Sequence, residues 1–294
     1  MSSSSIFSLP SSFILVLLGS ISVIVGIPVV LVGLSVWIST RRASKRDATD
    51  SVSSAAVRRA RTGRIGGLIA GAVIGVLTYL ATAGILVPAF VAVGYLLGML
   101  VFELRPSSQP AGPIRVASLQ ARNSWQYLPK WALRTTVVVA SLALLGSAVC
   151  VIVPPPSYLG RGQMLELILP FAIMSAAAIA AWFPLMSKVA RLPQPVNEGS
   201  GSGRVTTSRA NAARAVTGAV LGIELLSLAS VITASRALIN PVGDGTAYIA
   251  FGSVLAGLGI GLAIAGLVIW SILSRWRSAP VEPADPAPAE PRIA

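Results

Sequence analysis

The segment 65–102 contains 38 consecutive residues without a charged side chain. As a single helix it would be about 57 Å long at ~1.5 Å per residue, nearly twice the ~30 Å hydrocarbon core of a bilayer. The segment must therefore fold back, and the Thr-Ala-Gly sequence at 82–84 is the natural place for the turn. This predicts two spans, 65–81 and 85–102, with a re-entrant hairpin as the alternative.

Further apolar stretches have the length and composition of membrane spans. Only 11% of the residues are charged, against roughly 25% in a soluble domain, and these stretches account for the deficit. We therefore predict an all-α integral membrane protein, with a seven-helix transmembrane bundle as a single domain over 1–278. The predicted spans are about 12–39, 65–81, 85–102, 130–153, 165–186, 213–234 and 248–273.

Two polar segments lie outside the predicted spans. Residues 195–209, rich in Gly and Ser, are predicted to form a flexible linker. Residues 279–294, rich in Pro and Ala, are predicted to be a disordered tail. No connection between spans exceeds about 40 residues, which leaves no room for a soluble catalytic domain.

Lysine and arginine lie almost entirely on one side of this topology. Segments 41–64, 103–134 and 187–214, together with the C-terminal tail, hold 21 of the 23 basic residues. The opposite side keeps only Arg161 and Arg236. Because short cytoplasmic loops are enriched in basic residues, the pattern predicts an N-terminus outside and a cytoplasmic C-terminus. Arginine outnumbers lysine 20 to 3, a bias that is typical of GC-rich bacterial genomes, so we expect a bacterial plasma membrane.

Tryptophan supports the same orientation. Indole rings favour the headgroup level of a bilayer, where the ring is apolar and its N–H faces water. All six tryptophans fall beside predicted cytoplasmic span ends: Trp37, Trp125, Trp131, Trp182, Trp270 and Trp276.

The residue inventory excludes several classes of function. The chain has no histidine and one cysteine, Cys150, which excludes histidine acid–base catalysis and Cys/His zinc sites. We predict a non-enzymatic protein without catalytic residues, metal or cofactor. The net charge of +13 lies in the loops and is not interleaved with stacking aromatics, so nucleic acid is not a predicted partner. The basic loops favour anionic lipid headgroups at the cytoplasmic face instead.

One carboxylate stands inside a predicted span. Glu224 falls near the middle of the sixth span, and no Lys or Arg lies in a span core to pair with it. A charge at that depth costs ~2.5–3.5 kcal/mol on insertion scales. We predict that Glu224 points into the bundle, either as a proton or cation site or as a neutral carboxyl bonded to another helix. Candidate hydrogen-bond partners in other spans are Thr78, Tyr79, Tyr95, Ser141, Ser147 and Ser175.

Glycines four residues apart recur in the spans. Without a Cβ, two helix backbones approach closely and gain dispersion contacts that lipid does not match. Packing within the chain is the simpler interpretation, and a homo-oligomer or a membrane partner subunit is the alternative. The candidate packing residues are Gly67, Gly71, Gly75, Gly218, Gly222, Gly257 and Gly261.

Two functions agree with these features. The first is a scaffold or permease-like subunit that acts with partners. The second is a small secondary transporter or channel that uses Glu224 as an intramembrane proton or cation site. In composition, over its whole length, the chain resembles multi-pass membrane proteins of actinobacteria, without the motif of a named family.

Overall fold

The computed structural model describes residue 27, residues 29–43, 51–82, 87–104, 124–153, 161–190, 202–235 and 245–275, and residue 277. These residues form seven α-helices and no strand. Helix α1 covers 29–43. The others are α2 (Ser51–Thr82), α3 (Val87–Gly98), α4 (Lys130–Ile152), α5 (Arg161–Ala190), α6 (Ser202–Ser235) and α7 (Gly245–Leu273).

Five of these helices are long and apolar enough to cross a bilayer. Their apolar segments are Val57–Leu77, Lys130–Ile152, Met164–Ala190, Arg209–Ser235 and Ala250–Leu273. Many large side chains on their outer faces are aliphatic and exposed, as lipid contact requires, with Leu77 and Ile152 each 77% exposed. The all-α prediction is confirmed for the described residues, and several helices have the length and composition of a multi-pass membrane protein.

Helix α3 is shorter than the other apolar helices. It has 12 residues and continues into a five-residue π-helical turn, Met99–Glu103. The 17 residues together rise about 25 Å at ~1.5 Å each, somewhat less than a ~30 Å hydrocarbon core. Helix α2 ends at Thr82, α3 begins at Val87, and the two helices run antiparallel, with Gly63 against Gly98 and Gly71 against Phe90. Residues 83 and 84 of the predicted turn lie outside the described residues.

Glycine faces join α2 to α3. Gly63, Gly67 and Gly71 of α2 lie against Gly94 and Gly98 of α3. A Cβ built on Gly98 would lie 2.8 Å from the Gly67 Cα, closer than real Cβ atoms come to a backbone. The two helices therefore touch backbone to backbone, a contact that only glycine permits.

Helix α6 forms the centre of the bundle. Of its membrane segment 83% is buried, against 17–39% in the other four segments. It packs against α3, α4, α5 and α7. Its small residues, such as Ala212, Ala215 and Ala219, have no exposed surface. Small side chains let neighbouring helices approach α6 from several directions.

Helices α5 and α6 run antiparallel, and the residues in contact between them recur every seven positions along each helix. Trp182 faces Thr217 and Ser175 faces Glu224, and one further step along each helix Ile168 and Val231 lie in the same buried cluster. The indole Nε1 of Trp182 donates a hydrogen bond to Thr217 Oγ1 at 3.1 Å. A seven-residue step keeps side chains on one seam of an antiparallel helix pair.

The linker predicted at 195–209 is wrong for residues 202–209, because α6 already begins at Ser202. Asn211 anchors this end of the helix to the chain after α7. Its Nδ2 donates to the Arg277 carbonyl at 2.8 Å, and its Oδ1 accepts from the Arg277 N–H at 3.1 Å. The predicted tail 279–294 lies outside the described residues.

Two of the tryptophans lie inside the bundle and not at its surface. Trp182 is 1% exposed and stacks edge to face on Trp125, with ring centroids 5.1 Å apart. Trp270 has no exposed surface and packs edge to face on Tyr95 at 5.3 Å. Their indoles fill the space between helices at one end of the bundle, so the interfacial role predicted for them does not apply. Trp131, in contrast, is 50% exposed.

Candidate functional site

Glu224 lies in the central helix and has no exposed surface. Ser175 of α5 donates its hydroxyl hydrogen to Glu224 Oε2. The other carboxyl oxygen, Oε1, has no hydrogen-bond partner among the described residues. The hydroxyl of Ser227, one helical turn further along α6, is buried and also lacks a partner there. A buried carboxyl therefore keeps one oxygen available.

Tyr95 is not the partner of Glu224 that the sequence suggests. Its hydroxyl donates to Ser274 Oγ at 2.9 Å, just beyond the end of α7. Tyr95 packs beside Trp270 near the last turn of α7, and its hydroxyl is directed to the end of that helix. Glu224 is bonded instead to α5, where Ser175 lies.

The remaining candidate partners have different neighbours. Ser147 donates to the Ala143 carbonyl of its own helix at 2.7 Å, and Ser141 lies on an exposed face of α4. The side chains of Thr78 and Tyr79 lie outside the described residues. Ser175 is the candidate that the structure brings to Glu224.

The surroundings of Glu224 determine its chemistry. No described Lys or Arg forms an ion pair with it, so an ionised carboxylate would be buried without a counter-charge. A proton on Oε1 removes that cost, and so does a cation that enters from an aqueous path. The site has the chemistry to bind and release one proton or to offer one oxygen to a cation. The described residues contain no group of three acidic, Cys or His side chains that could hold a metal.

A second buried polar site lies at the end of the bundle that holds most basic residues. Arg64 of α2 has no exposed surface and forms a bidentate ion pair with Glu103, with Nη2–Oε1 at 2.7 Å and Nε–Oε2 at 2.9 Å. Its Nη1 donates to the Ser274 carbonyl at 2.8 Å, and Nη2 also reaches the Asn211 carbonyl at 3.4 Å. We call Arg64, Tyr95, Glu103, Asn211 and Ser274 the Arg64 cluster.

The fold of the α2–α3 hairpin explains why Arg64 meets Glu103. These two residues flank the charge-free run 65–102, and the reversal of the chain brings its ends together. The π turn places Glu103 in position, since Leu104 N–H bonds the Met99 carbonyl five residues back, at 2.9 Å. Such π turns often occur at functional positions in helices.

The Arg64 cluster was not predicted from the sequence, because Arg64 is one of eight basic residues in segment 41–64 and does not stand out among them. A signal was present: opposite charges at the two ends of a run that must fold in half. The cluster ties together α2, the π turn, α6 and the end of α7. Its role is to fix four elements of the bundle to one another at this end.

The packing glycines divide into two groups. Gly67 and Gly71 face α3, and Gly75 is buried. On α6, Gly218 and Gly222 face α7, where a Cβ on Gly218 would lie 2.7 Å from Leu273 Cβ. Around Gly257 and Gly261 of α7, in contrast, an added Cβ would meet no described atom within 4 Å.

Comparison of the chain with known protein families, with curated proteins and with solved structures finds no match. The buried carboxyl, the helix faces and the charge distribution are the features of the chain that bear on its function.

Proposed function

We propose that the chain is a seven-span bundle of a bacterial cell membrane, with its N-terminus outside and its C-terminus in the cytoplasm. In this proposal it is a non-enzymatic scaffold or permease-like subunit that acts with a membrane partner or with a second copy. The charge asymmetry of the loops supports the orientation. The lack of histidine in the sequence supports a role without acid–base catalysis.

The outward face of α7 carries this proposal. Only 17% of its membrane segment is buried. Gly259 packs on α6, where an added Cβ would lie 3.1 Å from the Ala229 carbonyl oxygen. Gly257 and Gly261, in contrast, face away from every described helix. A flat small-residue surface gains little from lipid tails but allows close approach of another helix backbone. The face therefore suits a helix from a partner subunit or from a second copy of the chain.

We expect Gly257→Leu combined with Gly261→Leu to break this association. Two leucines would hold a partner backbone several ångströms further away and remove the close contacts. Light scattering and native mass spectrometry of the detergent-solubilised protein would measure the change, from an assembled wild type to a monomeric variant. Gly66→Leu is the matched control, since Gly66 also has no described atom within 4 Å of an added Cβ but lies on α2.

A wild-type chain that is monodisperse, monomeric and free of any stoichiometric partner would contradict the subunit role. Equal assembly of the control and the α7 variant would place the contact on another face.

The proposed orientation predicts which exposed sites an impermeant maleimide can reach. In a Cys150→Ser background, Gly162→Cys at the start of α5 is expected to react in intact cells. Gln126→Cys, an exposed site ahead of α4, is expected to react only after the membrane is opened. The reverse labelling pattern would indicate the opposite orientation in the membrane. Labelling of both cysteines in intact cells would rule out the seven-span arrangement.

A second function, a proton-coupled carrier or channel, is favoured by the free oxygen of Glu224. Ser175 holds one carboxyl oxygen while the other has no described partner, as a site that exchanges a proton or cation requires. Ionisable residues within membrane segments mark proton and ion pathways in transporters. Helix α5 also contains two prolines, Pro170 and Pro184, on either side of Ser175 in sequence. Prolines free backbone carbonyls inside a helix, which supplies further polar groups for such a path.

Glu224→Gln separates this function from a purely structural role. Glutamine keeps the shape and can still accept the Ser175 hydrogen bond, but it cannot take up a proton. In vesicles with a valinomycin-clamped potassium potential, we expect proton flux through the variant to fall at least tenfold, measured with an internal pH dye. Glu166→Gln, at an exposed carboxylate near the start of α5, should leave the flux unchanged. Equal flux through wild type and Glu224→Gln would assign Glu224 to packing alone.

A further inference from the structure

An apolar groove of about 380 Å³ runs between α3 and α5, with Ile223 of α6 at its floor. Its volume falls within the ~300–1,000 Å³ range of ligand pockets. The lining is apolar apart from Lys188, the one charged residue among the described residues that line it, and Lys188 is the last of the α5 residues in the lining. This groove is separate from the Glu224 carboxyl and from the outward face of α7.

The sequence of α5 explains the space. Where α5 lines the groove it carries small residues, Ala177, Ala178 and Ala181. Alanines in place of larger side chains leave room against Leu97 of α3, which is 53% exposed. The groove is therefore open on the side that faces lipid.

The length of the groove matches one leaflet of a bilayer. It extends along α5 from Met174 to Lys188, which is 14 residues or about 21 Å. Half of a ~30 Å hydrocarbon core is about 15 Å, so the remainder reaches the headgroup level. Lys188 stands at that level, in the last turn of α5 and on the side predicted to be cytoplasmic.

Lys188 is available to an anionic group. Its side chain is exposed, and it forms no ion pair with a described carboxylate. A cation near the C-terminal end of a helix is also favoured by the helix dipole, which explains its presence without a ligand. The dipole does not explain why the one polar side chain in the lining stands at the headgroup end of an otherwise apolar groove.

We propose that this groove binds a phospholipid with an anionic headgroup from the cytoplasmic leaflet. One acyl chain lies along the alanines of α5, and the phosphate lies against the Lys188 ammonium. Charge complementarity selects this occupant, because a zwitterionic lipid or an apolar helix gains little from the lysine. Basic pockets between membrane helices on the cytoplasmic side bind anionic headgroups in this way.

The first experiment measures headgroup selection. The full chain, purified in detergent, is mixed with equal amounts of phosphatidylglycerol and phosphatidylcholine with identical acyl chains, and retained lipid is counted by native mass spectrometry. We expect one phosphatidylglycerol to be retained in preference to phosphatidylcholine. Lys188→Gln should weaken that retention about fivefold, the effect of one basic residue near an anionic surface. Lys130→Gln removes a lysine at the same predicted face, outside the groove, and should not reduce retention of the lipid in the groove.

A second pair of variants tests the groove itself. Ala177→Phe places a ring in the groove, whereas Ala176→Phe places the same ring on an adjacent exposed position outside its lining. We expect the first to abolish lipid retention and the second to preserve it. Equal retention of both lipids by the wild type would overturn the proposal, as would unchanged retention in Ala177→Phe. The latter result would place the retained lipid outside the groove.

Discussion

Replacement of Arg64 by methionine is expected to lower the free energy of unfolding by about 3–5 kcal/mol, because it leaves the Glu103 carboxylate buried without its counter-charge. The two side chains are 0% and 6% exposed, so water cannot take over the lost contacts. The carbonyls of Ser274 and Asn211 also lose their donor. Unfolding of the micelle-bound protein by a titration with sodium dodecyl sulphate would measure the change.

Two further variants make this prediction specific. Arg61→Gln removes an exposed arginine less than one turn away and should change stability by no more than about 0.5 kcal/mol. The double variant Arg64→Met, Glu103→Met should recover most of the loss, since a buried ion pair replaced by apolar side chains is often neutral. Recovery should be incomplete because the two carbonyls stay without Arg64. A single Arg64→Met variant as stable as the wild type would show that the ion pair is not buried in the membrane protein.

The second large effect is expected from Gly67→Ala, which should destabilise the protein by about 1–3 kcal/mol. The added methyl carbon would lie 3.0 Å from the Cα atoms of both Tyr95 and Gly98, and backbone atoms cannot rotate out of the way. Helices α2 and α3 would have to separate, which would weaken the hairpin. Thermal unfolding followed by circular dichroism in detergent would report the loss.

Gly66→Ala is the natural control for this change. Gly66 is the preceding residue on the same helix, and an added Cβ there meets no described atom within 4 Å. Because alanine has a higher helix propensity than glycine, by about 0.5–1 kcal/mol, Gly66→Ala should be neutral or stabilising. The same substitution at adjacent positions thus gives effects of opposite sign. Equal effects at both positions would contradict the backbone contact between α2 and α3.

The helices were predictable from sequence because a bilayer leaves the chain few options. A long charge-free run must satisfy its own backbone hydrogen bonds, which a helix does. The reversal within 65–102 followed from length alone. The central position of α6 was not predictable from hydropathy, since its mean hydropathy of 2.0 lies close to the 2.2 of α7 and the 2.3 of α4. Hydropathy measures the free energy of transfer from water to an apolar phase. Because lipid and protein interior are similarly apolar, it does not distinguish a helix that faces lipid from one that is surrounded by other helices.

The two buried polar sites differ in how far the sequence revealed them. Glu224 was evident because a carboxylate in the middle of an apolar run is costly and must point into the bundle. Its partner Ser175 was one of several candidates, since the choice depends on the register between α5 and α6. The Arg64–Glu103 pair was missed because the orientation rule already accounted for Arg64. The burial of Arg64 depends on the π turn that brings Glu103 beside it. A loop arginine and a buried arginine therefore look alike in the sequence.

The central position of α6 also sets the order in which the bundle assembles during synthesis. Helices enter the membrane from the N-terminus onward. The α2–α3 hairpin can close on its glycines as soon as residue 104 is made, whereas α4 and α5 meet their principal neighbour only when α6 arrives. Until then α4 and α5 have each other to pack against, but not the helix that makes most of their contacts. The Ser274 carbonyl reaches Arg64 only after α7 has been made, so the α2–α3 hairpin is joined to α7 later than it closes on itself.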